Sequence, residues 1–482
     1  MQRNTWILLV SIIALSFSNL RAQDNLTPGA AIDLKQCVDI ALKNNLLVTQ
    51  SSLQVQSSTV NATQAWEYML PNINASANYG VNFGRSLNQN TYTYSDEQFN
   101  SSNYGINAGL LLFSGLQVQN QIRQSKFALE ASKMDLQQQK DVITLNVLLA
   151  YLQVLSNQDL LQISRAQADV DLKQVERLEI MRKDGAIPIL STYYDLKGQY
   201  ANDLVNIANN VNALESSKIS LFQILNIPYR KDLVYDRIPL DLNAPAYGPS
   251  SDSIYQTALA VLPQIKSVDL KIKASERALG VARSAYYPTL SAYAGIGSNY
   301  SSVAQSQTPT FISTDTSQNA YVYVPNNNYP VITKNQNYSF SNISFGDQYK
   351  NNRYEQVGLQ INIPILNYMR ARNNVKLAKI NLKNAQYIAQ ASRNQLQQMV
   401  EQAYQNMLNA YEQYKSYRDQ VAAYNESFRG AEIRFNDGAI TSVDYVIAKN
   451  NIDRANLSLT QARYNFIFRT KILDYYQGKL TW

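Results

Sequence analysis

The chain has 482 residues, with 43 basic and 36 acidic side chains, no histidine and a single cysteine, Cys37. The missing histidine excludes imidazole catalysis and most zinc sites, and one cysteine forbids an internal disulfide, leaving Cys37 as a small packing residue. The net charge of +7 shows no basic cluster, which argues against nucleic acid as a partner, and the charged fraction of 16% is well below the roughly 25% of ordinary soluble proteins.

In chain order, Arg3, an apolar run from Trp6 to Leu15 and a polar stretch ending in Leu20-Arg21-Ala22 fit a cleaved secretory leader over residues 1–22. The run is shorter than the roughly 20 residues that span a bilayer as a helix. Cys37 follows Leu34-Lys35-Gln36 rather than small residues, so lipid attachment is not expected.

Residues 71–84 read PNINASANYGVNFG. Ile73, Ala75, Ala77, Tyr79, Val81 and Phe83 share one parity, and Asn and Ser dominate the other, the signature of a two-faced strand. Similar alternation predicts strands at 104–113, 289–300 and 354–363 besides 73–83. Their length suits a tilted strand crossing a hydrocarbon core, and tyrosines such as Tyr68, Tyr104, Tyr286, Tyr287, Tyr300, Tyr354 and Tyr368 gather at their ends. The connections 85–103 and 301–353, rich in Asn, Ser, Tyr and Thr, are expected to be exposed loops.

Around the strands lie long helical patterns, 116–182 and 367–435. In the second, Ala378, Leu382, Ala385, Ala389, Ser392, Leu396, Met399 and Ala403 advance by threes and fours, and the series resumes from Ala410 through Tyr414, Tyr417, Val421, Tyr424 and Phe428. The halves of the chain repeat. A shift of 217 lays Ala41-Leu42 on Ala258-Leu259 and Pro71 on Pro288, and a shift of 253 lays Asp184-Gly185-Ala186-Ile187 on Asp437-Gly438-Ala439-Ile440. The expected organisation is a first repeat over 23–226 with a helical turn near 185, a proline-rich connector over 227–251, and a second repeat over 252–482 with a turn near 438.

The strands leave two readings open. A soluble sheet would pack its apolar face on the helices. A membrane sheet would turn Ile73, Val81, Phe83, Ile106, Leu110, Leu359 and Ile361 to lipid, and it would have to close, which four strands cannot do alone.

The doubled plan, the strand entries Leu70-Pro71 and Tyr287-Pro288, the exits Leu112-Phe113-Ser114-Gly115 and Ile363-Pro364-Ile365-Leu366-Asn367, and the two Asp-Gly-Ala-Ile turns resemble the TolC-type outer membrane efflux proteins. That resemblance implies an α+β membrane protein: a homotrimeric channel whose chains each give four strands to one twelve-stranded β-barrel, continued by a long α-helical tunnel in the periplasm of a Gram-negative bacterium. It implies a passive exit conduit for efflux or type I secretion, with a periplasmic adaptor, an inner-membrane transporter and outer membrane lipid as partners. The adaptor would dock at the tip formed by Gly185, Ala186, Ile187, Gly438, Ala439 and Ile440. It also implies an acidic ring at the narrow periplasmic entrance, six residues after the second turn glycine, here Asp444. The first repeat has Ser191 at that place, and a further family aspartate is replaced by Ile447. Thr441-Ser442-Val443-Asp444 equally has the spacing of a helix capping box.

No enzyme is expected and no cofactor or metal: Gly295-Ile296-Gly297 lacks the third glycine and the strand-to-helix setting of a dinucleotide site. The alternatives are an exported coiled-coil scaffold, which leaves the strands unexplained, and a porin-like uptake channel, which leaves several hundred helical residues unexplained.

Overall fold

A computed structural model describes residues 31–88, 93–95, 98–184, 190–237, 247–325 and 327–479. The leader at 1–22 and the first turn, Gly185, Ala186 and Ile187, lie outside the described residues. The elements run β1 (Ala31–Ile32), α1 (Leu34–Asn44), α2 (Leu46–Glu67), β2 (Asn72–Asn82), β3 (Ser86–Asn88), β4 (Thr93–Ser95), β5 (Phe99–Ser114), α3 (Gln117–Lys183), α4 (Leu190–Leu225) and β6 (Val234–Tyr235). They continue with α5 (Ser251–Val261), α6 (Pro263–Ser284), β7 (Thr289–Ser301), β8 (Gln305–Val324), β9 (Asn327–Asn342), α7 (Phe345–Asn351), β10 (Tyr354–Asn362), α8 (Arg370–Asn436) and α9 (Ser442–Tyr476). No described helix is long and apolar enough to cross a membrane.

The chain forms two compact units, and each draws segments from both halves of the sequence. One comprises residues 58–128 and 272–385 and contains the four-stranded sheet, ordered β10-β7-β5-β2 with every neighbour antiparallel. A bulge between Leu111 and Phe113 shifts the β5–β7 register near the end of β5. The sheet strands follow the period-2 segments closely, although β5 starts at Phe99, five residues before the expected boundary.

The connections depart from expectation. Exposed as expected, the 301–353 connection is nevertheless no loop: β8 and β9 pair as a long antiparallel hairpin, α7 follows it, and β3 pairs with β4 within 85–103. Thr, Tyr, Val and Ile supply the strand preference there. Both faces of β8 and β9 mix Thr, Asn and Gln with apolar residues, so no alternation marks them in the sequence.

The other unit comprises residues up to 57, 129–271 and 386 onward, and its described elements are helices apart from the short parallel pair β1–β6. Its largest core packs Cys37, Val38 and Ala41 of α1 against Val147, Tyr151 and Leu155 of α3, Leu221 of α4 and Ile467 of α9. Burial pushes the Cys37 thiol up to about 12, which keeps it protonated and inert. A second core joins Ile254 and Ala258 of α5 to Leu396, Val400, Met407 and Ala410 of α8 and to Leu473 of α9. Beyond Ala410, Tyr414, Tyr417, Val421, Tyr424 and Phe428 are partly withdrawn from solvent, while most positions between them are exposed. Burial therefore steps along α8 by threes and fours, as a helix packed on one seam requires.

Candidate functional site: a two-faced sheet and the α8–α9 turn

The sheet register decides where the alternating residues go. Ala75 pairs with Ile106, Ile106 with Ile296, and Ile296 with Glu355, so each strand's apolar parity lands on the same side. That side carries Ile73, Ala77 and Val81 of β2, Ala108 and Leu110 of β5, Leu290, Ala292 and Ala294 of β7, and Val357, Leu359 and Ile361 of β10. Phe83, just past β2, continues the same parity. The seven candidate outward residues thus share one side of the unit.

That apolar side is bare. Val357 is 87% exposed, Leu359 67%, and Ile361 and Ile73 65% each. A soluble sheet packed on its own helices would bury these positions. A contiguous exposed apolar surface of this kind marks an interaction with lipid or protein. The opposite side carries Asn74, Asn78, Asn103, Asn107, Gln356 and Gln360, with glycines between them. Two of these glycines are required by neighbours. A Cβ on Gly297 would lie 2.5 Å from the Tyr354 ring, and one on Gly358 would lie 2.5 Å from Tyr293 Oη. Each tyrosine lies across the glycine of the paired strand, which lets large rings lie low on the polar side. Strands β2 and β10 are the two ends of the strand order, so each has one edge that no described strand pairs.

In the helical unit, α8 ends in a Schellman motif. Gly438 takes φ +73°, its N–H donates to Phe435 O at 3.1 Å, and the Ala439 N–H donates to Arg434 O at 2.7 Å. Glycine is needed at 438 because a side chain in the left-handed region is strained. Three residues later α9 opens with a complete capping box. Asp444 N–H donates to Thr441 Oγ1 at 3.2 Å, and Thr441 N–H donates to Asp444 Oδ2 at 3.3 Å. The Thr441 hydroxyl also donates to Asp444 Oδ2 at 2.7 Å. These hydrogen bonds hold the Asp444 carboxyl below the usual carboxylate range, and it stays fully exposed and ionised.

The turn residues differ in setting. Gly438 and Ala439 are exposed, whereas Ile440 packs with Leu178, Tyr193, Leu196 and Tyr445. The α8–α9 turn is tied to α3 and α4 by Arg177 donating to Asn436 and by Ser442 Oγ donating to Asp195 Oδ2 at 3.1 Å.

A buried charged cluster lies farther along these helices, and sequence reading missed it. Lys449 Nζ of α9 sits 2.7 Å from Asp453 and 3.2 Å from Asp171 of α3. Burial alone would lower the Lys449 pKa, but the two carboxylates outweigh it and hold the amine charged. Asp203 of α4 adjoins Asp171, and its Oδ2 is buried without a hydrogen-bond partner. Burial, followed by the Asp171 carboxyl beside it, pushes Asp203 up to about 7. The Lys449/Asp453 spacing of four was the available signal, but it reads equally as a surface helix pair.

An antiparallel sheet with one bare apolar side and two open edges, on a chain of long packed helices, defines a chain built to meet lipid or protein on that side and a neighbour at its edges. A family model described as outer membrane efflux protein matches residues 37–226 and 254–468, and the chain belongs to that family. Among curated proteins no sequence match is found. Solved structures share the fold: the CmeC outer membrane channel of Campylobacter jejuni has 17% identity and TM-score 0.70, over 92% of this chain and 86% of that one. The outer membrane protein VceC of Vibrio cholerae has 13% identity and TM-score 0.69, over 92% and 96%. The open MtrE outer membrane channel of Neisseria gonorrhoeae has 15% identity and TM-score 0.67, over 92% and 88%. The chain is thus an outer membrane efflux protein.

Proposed function

We propose that this chain is one third of a homotrimeric exit duct, in which three copies close a twelve-stranded barrel and the helices line a tunnel through the periplasm. The observation that carries this reading is the single bare apolar side continuous across all four strands, with an unpaired edge on each flank. Lipid cannot satisfy the open edges of a sheet, so only neighbouring copies can. Ile73, Val81, Phe83, Ile106, Leu110, Leu359 and Ile361 face lipid, and the Asn and Gln side faces the water-filled bore. The two halves of the sequence are structural repeats joined by the 227–251 connector. A periplasmic adaptor docks at the turns around Gly185 and Gly438, an inner-membrane transporter supplies the energy, and the duct itself does no chemistry.

Asp444, one per chain, rings the periplasmic entrance. Its ionised carboxylate serves the helix cap and, repeated around a narrow axis, concentrates negative potential that favours cations. The experiment is purification from outer-membrane fractions followed by planar-bilayer recording. Heat-modifiable trimers are expected, with cation-preferring conductance that Asp444→Asn reduces without changing trimer yield. A folded monomer in detergent would refute the duct. Unaltered selectivity in Asp444→Asn would confine Asp444 to capping.

A further inference from the structure

Among the described residues, only the far end of the apolar side of the sheet carries a helix. The connections from α2 to β2, from β5 to α3, from α6 to β7 and from β10 to α8 all lie at the near end of the strands. At the far end the outward positions change character, from Ile106 and Ile296 to Ser102, Tyr104, Ser298 and Tyr300. Here α7 lies on the sheet. Ser298 Oγ donates to Tyr349 O at 2.9 Å, and Ser102 and Ser298 are buried.

Helix α7 is fixed rather than loosely placed. Ser344 caps its start, with Asp347 N–H donating to Ser344 Oγ at 3.2 Å. The buried Gln348 side chain donates to Ser301 O and Ile343 O at 2.9 Å each and accepts from Ser301 N–H at 2.9 Å. Asn352 Nδ2 donates to Asn299 O at 2.8 Å. With Gln348 and Asn352 bonded to the end of the sheet, α7 lays its rings over the aromatic residues there. Phe345 meets Tyr300 at 5.2 Å and Tyr104 at 6.2 Å, and Tyr349 stacks on Phe345 at 6.3 Å. Phe345 and Tyr349 remain about half exposed.

The spacing fits a membrane boundary. From Tyr287, at the near end, to Ser298 is about eleven residues, which at roughly 3.3 Å each and about 40° of tilt rises about 28 Å. That is close to the roughly 25–30 Å of a hydrocarbon band. Aromatic side chains with a polar tip favour the level where hydrocarbon gives way to headgroups.

We propose that α7 is an outer-leaflet anchor: Phe345 and Tyr349 sit at the headgroup level of the lipid surface, and the helix covers the Ser102 and Ser298 hydroxyls that would otherwise meet hydrocarbon. The inference rests on the reading that the apolar side of the sheet faces lipid. Runner-up occupants, a second copy of the chain or a soluble protein, would leave the rings away from lipid.

The test uses purified trimer in phosphatidylcholine vesicles carrying nitroxide either on the headgroup or at mid-chain. Single-cysteine variants are labelled with a small fluorophore, Cys37 being buried and unreactive. Tyr349→Cys probes the ring cluster, Lys350→Cys probes α7 without touching the cluster, and Leu359→Cys probes the middle of the band. The expected result is that the α7 labels are quenched several-fold more by headgroup nitroxide, and the Leu359→Cys label by mid-chain nitroxide. Quenching at Leu359→Cys with none at either α7 position would overturn the anchor alone. Stronger mid-chain than headgroup quenching at α7 would overturn it as well. No quenching at Leu359→Cys would sink the lipid-facing reading on which the anchor stands.

Discussion

Asp203 shows how one buried proton shapes stability. Unfolded, its carboxyl ionises near the usual 3.8, while in the fold burial and Asp171 keep the proton on to about 7. Between those values the folded chain binds more protons than the unfolded one, so stability falls as pH rises, by at most about 1.4 kcal/mol per pH unit. Above about 7 both states are ionised and the loss is complete. Asp203→Asn keeps a hydrogen-bonding group beside Asp171 but removes this titration. Thermal melts between pH 5 and pH 8 should therefore flatten, with the variant gaining most over the parent at pH 8. A variant whose melting temperature falls with pH as steeply as the parent's would show that another group carries the dependence. Lys449 does not mimic the effect, because its amine stays charged throughout that range.

Among the elements, the α8–α9 turn separates docking from folding. Ala439 is exposed and its backbone is already fixed by the Schellman hydrogen bond, whereas Ile440 is half-buried among Leu178, Tyr193 and Tyr445. Ala439→Arg is expected to abolish efflux in cells at unchanged trimer yield, if the turn is the adaptor contact. Ile440→Asp should reduce yield as well, because it buries a charge in that core. Full efflux by Ala439→Arg would move the docking site elsewhere. The same elements show what a sequence can disclose. Period-2 alternation marked β2 and β10 because apolar and polar residues take opposite sides of each strand, and the α8 seam was visible because one stripe of a long helix is buried. The β8–β9 hairpin has no such asymmetry, so its residues resembled a loop. The Asp171, Asp203 and Lys449 cluster was hidden for a different reason: it joins the neighbouring helices α3 and α4 to α9, which lies far along the chain. The capping box at Thr441 was readable locally, while the role of Ile440 in packing required the neighbouring helices.

For the whole molecule, strand direction determines how copies can join. Three successive antiparallel pairings leave β10 and β2 running in opposite senses at the two ends of the strand order. Placing β2 of one copy beside β10 of the next therefore continues the antiparallel pattern with no parallel seam. Two copies would supply about eight strands and three about twelve, both sizes that membrane barrels adopt, so closure alone does not choose between them. Cross-linking does. Asn78→Cys on the polar side of β2 can be combined in turn with Gln356→Cys, Gln360→Cys or Asn362→Cys on the same side of β10. A disulfide needs Cα atoms about 4.4–6.8 Å apart, and the two edges of one chain's sheet are separated by three strand spacings, roughly 14 Å in all. A link within one chain is thereby excluded, and the buried Cys37 thiol does not compete. One of the three pairs should oxidise to a covalent ladder ending at trimer on denaturing gels without heating. A ladder ending at dimer would replace the three-copy barrel with a two-copy one, and failure of all three pairs in membranes that contain folded protein would refute edge-to-edge closure.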